Sequence, residues 1–297
     1  MTAHPKVDPA TGELVFFSYL PMEPHLSYFV ADASGRLTTN EAIETPRPTM
    51  MHDFVMTAEH IVFYDMPAVM DFRAMMTGEG ASISWQPQFP ARIGIMPRQG
   101  GNDDLQWFEL DPFYVFHFVN GWEDDAGRIQ VVGCRAPGLL TSFGDEPVAD
   151  TTPPVLWQWT IDPAAGTITE RQLDDRPTDF PRINDAHAGG ASRFGYVAHS
   201  RTWDERVEFD GIIKYDLEQG TSAVSVYADP IIGGEPAFAA DPDGTVEDDG
   251  WLLNLATDHH LGKSELIVHD AHALEIVARV QLPPRVPSGF HGNWMPT

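Results

Sequence analysis

The chain has 297 residues, 42% of them apolar, enough to bury one large all-β core or two ordinary ones. With 18 basic and 44 acidic side chains, its formal charge of −26 repels phosphate backbones and argues against nucleic-acid binding. Its one cysteine, Cys134, rules out an intrachain disulfide and any CxxC zinc site and fits a reducing, cytoplasmic setting.

The chain opens with MTAHPKVDPATGE, which is polar and proline-containing and lacks the character of a signal or transit peptide. No apolar run reaches the roughly 18 residues that a membrane-spanning helix needs. Strand signals then dominate. LVFFSYL (14–20), LSYFVAD (26–32), HIVFYD (60–65), YVFHFVN (114–120), RIQVVGC (128–134) and VLWQWTID (155–162) are rich in β-branched and aromatic residues. So are GIIKYDL (211–217), SAVSVYA (222–228), WLLNLAT (251–257), SELIVHD (264–270) and EIVARVQL (275–282). Gly, Pro, Asp or Asn bound each run. DFRAMMTG (71–78) is the one segment that suggests a helical turn or two.

A repeat underlies these strands. WQWTIDPAAGTITERQL, IIKYDLEQGTSAVSVYA and ELIVHDAHALEIVARVQL align on Asp162, Asp216 and Asp270, which are 54 residues apart. Each aspartate ends one strand and opens a turn into the next, and Gly166 and Gly220 follow in the first two turns. VDPATGELVFFSYL (7–20) and VADASGRLTTNEAI (30–43) show the same turn. Asp-x-x-x-Gly turns are common, but their equal spacing favours four-stranded propeller blades over a sandwich. At that period the chain holds about five to six blades. The short Pro-rich stretches fit loops between blades, so the expected fold is all-β, a β-propeller, in one domain over residues 1–297.

Of the 12 histidines, His25, His60, His199, His259, His260, His269 and His272 have polar or charged neighbours and read as surface or turn residues. His187, in NDAHAGG, fits neither group clearly. Four others sit in unusual settings. His117 centres YVFHFVN, an apolar strand where an imidazole needs partners for its nitrogens. His52 lies in PTMMHDFVMT, His291 in SGFHGNWMP between glycines, and His4 in TAHPKVDP before a proline. Any one alone reads as a satisfied core histidine. Together they fall in different blades, and propeller strands converge on an axis where such residues can share an ion. Imidazole suits iron, zinc and copper.

MTAHPKVDPATGEL, MMHDFVMTAEHIVF, WFELDPFYVFHFVNGWED, DFPRIND, GGEPAF and GFHGNWMP resemble, in order and spacing, sequence blocks of the carotenoid cleavage oxygenase family. The resemblance covers nearly the whole chain. It implies a seven-bladed propeller with ferrous iron, one per subunit, held by His4, His52, His117 and His291. It implies Glu235 in GGEP as a carboxylate that orients a ligand imidazole. The family has a glutamate where this chain has Asp179, whose side chain is one methylene shorter, so a longer or water-bridged contact is expected there. The family's third such glutamate lies upstream of the TAHPKVDP block. Family members also carry a long segment there, so the ring expected here is incomplete, with a gap beside the blade of His4. The missing part would hold any weak membrane-surface contact.

The implied reaction is oxidative cleavage of a conjugated carbon–carbon double bond by dioxygen, giving two carbonyl products. It needs no external reductant, and no GxGxxG fingerprint follows a strand here. A carotenoid or apocarotenoid is the favoured substrate. The alternatives are a lignostilbene-type dioxygenase acting on a phenolic stilbene, an isomerase or hydrolase using the same metal as a Lewis acid, and a non-catalytic propeller.

Overall fold

The structure, a computed structural model, describes residues 2–140, 151–203, 207–287 and 289–295. Antiparallel strands pair mostly with their neighbours in chain order, in two compact units. One unit is Met1–Gln172 with Ala188–Ala191, and the other is Leu173–His187 with Ser192–Thr297.

The first unit holds three four-stranded sheets. The first sheet runs Lys6–Val7, Leu14–Tyr19, Leu26–Ala31 and Leu37–Ile43. The second runs Val55–Met56, His60–Asp65, Ala91–Pro97 and Gln106–Leu110. Between its middle strands lie a small hairpin, Ala68–Met70 with Ile83–Trp85, and a short helix, Phe72–Thr77. Asp71 caps that helix by accepting the Ala74 N–H at 3.0 Å, and Gly78 ends it at φ 70°. The third sheet runs Tyr114–Glu123, Ile129–Ala136, Val155–Asp162 and Thr167–Gln172.

The second unit holds the fourth sheet, Thr178–Arg182, Phe194–Trp203, Val207–Asp216 and Thr221–Val226. In the fifth, Ile231–Ile232 and Ala237–Ala240 both pair with Gly250–Asp258, which Lys263–Asp270 and Ile276–Gln281 follow. Each sheet is the meander from which propeller blades are made. The five among the described residues match the expected five to six. Among the described residues no helix is long and apolar enough to cross a membrane.

Strand alternation explains the packing. Val15 and Phe17 turn inward and are fully buried, while Phe16 stacks on its cross-strand partner Phe29 with centroids 5.0 Å apart. The second and third sheets share an aromatic core of Tyr64, Phe113, Phe118 and Trp159. Trp159 stacks on Phe113 at 5.6 Å, meets Tyr64 edge-on at 5.7 Å, and donates its indole N–H to Glu170 Oε1 at 2.9 Å.

The repeated aspartate turn is built the same way three times. Asp162, Asp216 and Asp270 each accept an N–H four residues on with the backbone carbonyl, at 2.9, 2.8 and 2.9 Å. Their carboxylates accept the N–H of Ala165, Gln219 and Ala273. Gly166 and Gly220 take φ of 67° and 66° in the left-handed region. The third turn places Leu274 there, at φ 59°. That conformation costs a non-glycine residue roughly 1–2 kcal/mol. Leu274 is buried with Tyr196, Phe238 and Leu252, and burying a leucine side chain contributes about 1.5–3 kcal/mol, which offsets the strain.

Some strands carry no strong signal in sequence. Ala91–Pro97 contains Gly94, whose missing side chain makes room for the Trp107 ring; a Cβ there would lie 2.7 Å from it. Thr178–Arg182 contains Pro181 and is an edge strand with a register shift, where proline is tolerated.

His269 corrects the sequence expectation. It is not a surface residue but fully buried in Lys263–Asp270, on the strand face it shares with buried Ile267. Its ring lies 5.7 Å from that of Tyr227. Burial pushes its pKa down to about 4 from the usual 6.5. Between those values the unfolded chain takes up a proton that the native chain refuses. This contribution to stability is full above pH 6.5 and shrinks as the pH falls toward 4, by about 1.4 kcal/mol per unit. Thermal unfolding of the wild type and His269→Asn should therefore converge as the pH drops from 7.5 to 5. Parallel pH profiles would refute this.

Candidate metal centre

Three separate segments of the first unit bring histidines together. His4 lies just before Lys6–Val7, and the following Pro5 favours an extended backbone for it. His52 lies in the connection leading to Val55–Met56. His117 lies inside Tyr114–Glu123 and is 6% exposed.

The strand carrying His117 is irregular. Pairing with Ile129–Ala136 slips once between Val115 and Phe118 and again between Phe118 and Asn120. Such bulges bend a strand and re-aim its side chains. Gly133 opposite allows the arrangement, since a Cβ on it would lie 2.7 Å from the Phe118 ring.

The three imidazoles meet edge to face. Ring centroids are 4.9 Å apart for His4–His52, 4.9 Å for His4–His117 and 5.0 Å for His52–His117. Their ligand nitrogens all lie within 4.8 Å of one another, close to the span of about 4 Å for two nitrogens on opposite sides of one ion. A set of neutral nitrogen donors suits a first-row transition metal such as iron. Phe116 stands beside the cluster, its ring edge-to-face with His52 at 5.5 Å and with Tyr114 at 4.7 Å.

Asp53, which sequence reasoning passed over, is 2% exposed beside His52. Its Oδ1 lies 2.8 Å from Lys6 Nζ, and its Oδ2 accepts the Phe118 N–H at 2.9 Å. Burial opposes its charge, but the Lys6 ammonium and the Phe118 N–H outweigh that and hold its pKa at about 2. In sequence Asp53 shows only as a charge directly after His52, with Lys6 two residues after His4, and neither marks it as buried.

In the second unit, His291 Nδ1 lies 3.3 Å from Glu235 Oε1, and Glu235 Oε2 accepts the Gly292 N–H at 2.8 Å. A carboxylate on Nδ1 selects the tautomer whose Nε2 carries the lone pair. Arg182 Nε lies 3.3 Å from the same Glu235, and the guanidinium donates to Gly292 O and Asn293 Oδ1. Phe180 meets the His291 ring edge-on at 5.5 Å. It does so from φ 52°, a conformation that is strained for phenylalanine. Asp179 is buried, and its Oδ1 accepts the Phe180 N–H at 2.8 Å.

These features define a class: all-β proteins built of propeller blades, with a cluster of imidazoles that could hold a metal. Residues 1–296 match the family described as Retinal pigment epithelial membrane protein. The carotenoid cleavage oxygenase of Mycobacterium tuberculosis is 32% identical over 351 residues, covering 100% of this chain and 68% of that protein. The probable carotenoid cleavage dioxygenase 4 of Arabidopsis thaliana is 34% identical, covering 98% of this chain and 51% of that protein. The crystal structure of Pseudomonas brassicacearum lignostilbene dioxygenase superposes with a TM-score of 0.90 at 29% identity, covering all of this chain and 66% of that one. Cobalt-substituted Synechocystis ACO gives a TM-score of 0.88 at 29% identity, covering all of this chain and 65% of that one. The chain therefore belongs to the carotenoid cleavage oxygenase family, and its fold class is the β-propeller. It spans from about half to two-thirds of the length of these relatives.

Proposed function

We propose that the chain carries the metal centre of a non-haem iron(II) dioxygenase that cleaves a conjugated carbon–carbon double bond of a carotenoid or apocarotenoid into two carbonyl products. The observation that carries this is the cluster of His4, His52 and His117. The resemblance of GFHGNWMP to a sequence block of the family supports His291 as the proposed fourth ligand, with one iron per chain. When bound, iron(II) would supply the redox centre that activates dioxygen.

The chain's own residues supply placement. The imidazoles are neutral donors and leave the metal its charge. Glu235 fixes the tautomer and direction of His291. The Phe116 ring offers an apolar wall beside His52, suited to a polyene and unfavourable to water. The curated carotenoid-cleaving relatives favour the carotenoid substrate. Likeness to the lignostilbene dioxygenase supports a second reading, a phenolic stilbene.

The test is to load the protein with Fe(II), supply dioxygen with an apocarotenoid or a phenolic stilbene, and score carbonyl products. Aldehyde from the polyene supports the first reading and aldehyde from the stilbene the second. Products from neither, with iron bound, would refute both.

Glu235→Gln should weaken iron retention by about 10–100-fold, because the amide orients the imidazole less firmly than a carboxylate. Dialysis against a chelator, followed by metal analysis, measures this. Retention equal to wild type would remove Glu235 from that role.

A further inference from the structure

We infer that Asp53 is a positioning residue that ties the three histidine segments of the first unit together and sets the geometry of the metal centre. The inference rests on the metal-centre reading above. His4, His52 and His117 come from parts of the chain far apart in sequence, and two of them lie outside regular strands. A metal site needs its donors held to within about 0.5 Å, which separate segments do not achieve without a link.

Asp53 makes that link with its two oxygens. Oδ1 takes the ammonium of Lys6, two residues after His4, at 2.8 Å. Oδ2 takes the backbone N–H of Phe118, the residue after His117, at 2.9 Å. Asp53 itself follows His52 directly, and Oδ1 also accepts the N–H of Phe54 at 2.8 Å. One carboxylate thus touches a neighbour of each histidine. The Phe118 amide lies between the two register slips, so a side-chain acceptor holds the strand where its ladder is irregular.

Position also accounts for the choice of residue. Asp53 is 2% exposed, and a buried carboxylate is costly unless paired and hydrogen-bonded. Lys6 supplies the paired charge, with its Nζ 5.8 Å from the Phe54 ring centroid. Asparagine has the same shape but lacks the charge that holds Lys6. Removing Lys6 alone leaves a buried charge unbalanced, so the two residues should act as one unit.

The test uses the full chain with Co(II) as a spectroscopic probe, in wild type, Asp53→Asn, Lys6→Met and the double variant. Asp53→Asn should bind Co(II) about 10–100-fold more weakly and change the visible ligand-field bands. The double variant should be no worse than the poorer single one. In the metal-free protein, hydrogen exchange at the Phe118 amide should be faster in Asp53→Asn than in wild type. Unchanged affinity and bands in Asp53→Asn, strictly additive losses, or unchanged exchange at Phe118 would each overturn the inference. A wild-type chain that takes up no Co(II) would instead sink the metal-centre reading, leaving the exchange measurement to judge the link between segments.

Discussion

His52→Ala should strip the protein of iron while leaving it folded. His52 is half-buried in a connection, and the groups that pack and hold that connection are Met51, Asp53 and Phe54, which the substitution keeps. The loss therefore falls on the metal. Removing a carboxylate that only orients a ligand costs about 10–100-fold in affinity, so removing a ligand should cost at least about 100-fold. Metal analysis after gel filtration should find iron in the wild type and in an exposed-histidine control, His260→Ala, and almost none in His52→Ala. Product formation should disappear with it. An iron-replete His52→Ala protein would place the metal elsewhere.

Trp159→Ala should cause the largest loss of stability, about 3–5 kcal/mol. Trp159 is fully buried and packs against Phe113, Tyr64 and Phe118. Truncation leaves a cavity among rigid rings and deprives Glu170 of the indole N–H. Because Phe118 follows His117, the damage should reach the centre and metal affinity should fall too. Trp159→Phe keeps most of the volume and should cost less. Urea unfolding of the three proteins checks this ranking. A loss below about 1 kcal/mol in Trp159→Ala would mean that the core does not depend on this ring.

The parts of the fold that follow local chemistry are legible in the chain. All eleven strand segments lie on strands in the structure, and the aspartate turns at Asp162, Asp216 and Asp270 fall in hairpins between strands of the third, fourth and fifth sheets. The helical segment at 71–78 is a capped helix. Strands such as Ala91–Pro97 were missed because Gly94 weakens the local signal, while its purpose, admitting Trp107, lies in a partner strand. His269 shows a signal that was present and overlooked. Period-two alternation places it on the buried face with Ile267, but its charged neighbours drew the reading toward the surface.

Asp53 lay beyond sequence reasoning for a different reason. Next to a histidine and before a strand, an aspartate looks like a solvated turn residue. Its burial follows from Lys6 and from the Phe118 amide, which is exposed to it by a register slip that no pattern along the chain announces. Tertiary pairing decided its role.

X-ray absorption at the iron edge of the anaerobic, Fe(II)-loaded protein should show one iron per chain with four imidazole nitrogens at about 2.0–2.3 Å and no sulfur. A shell with sulfur, or with fewer than three imidazoles, would contradict the histidine metal centre.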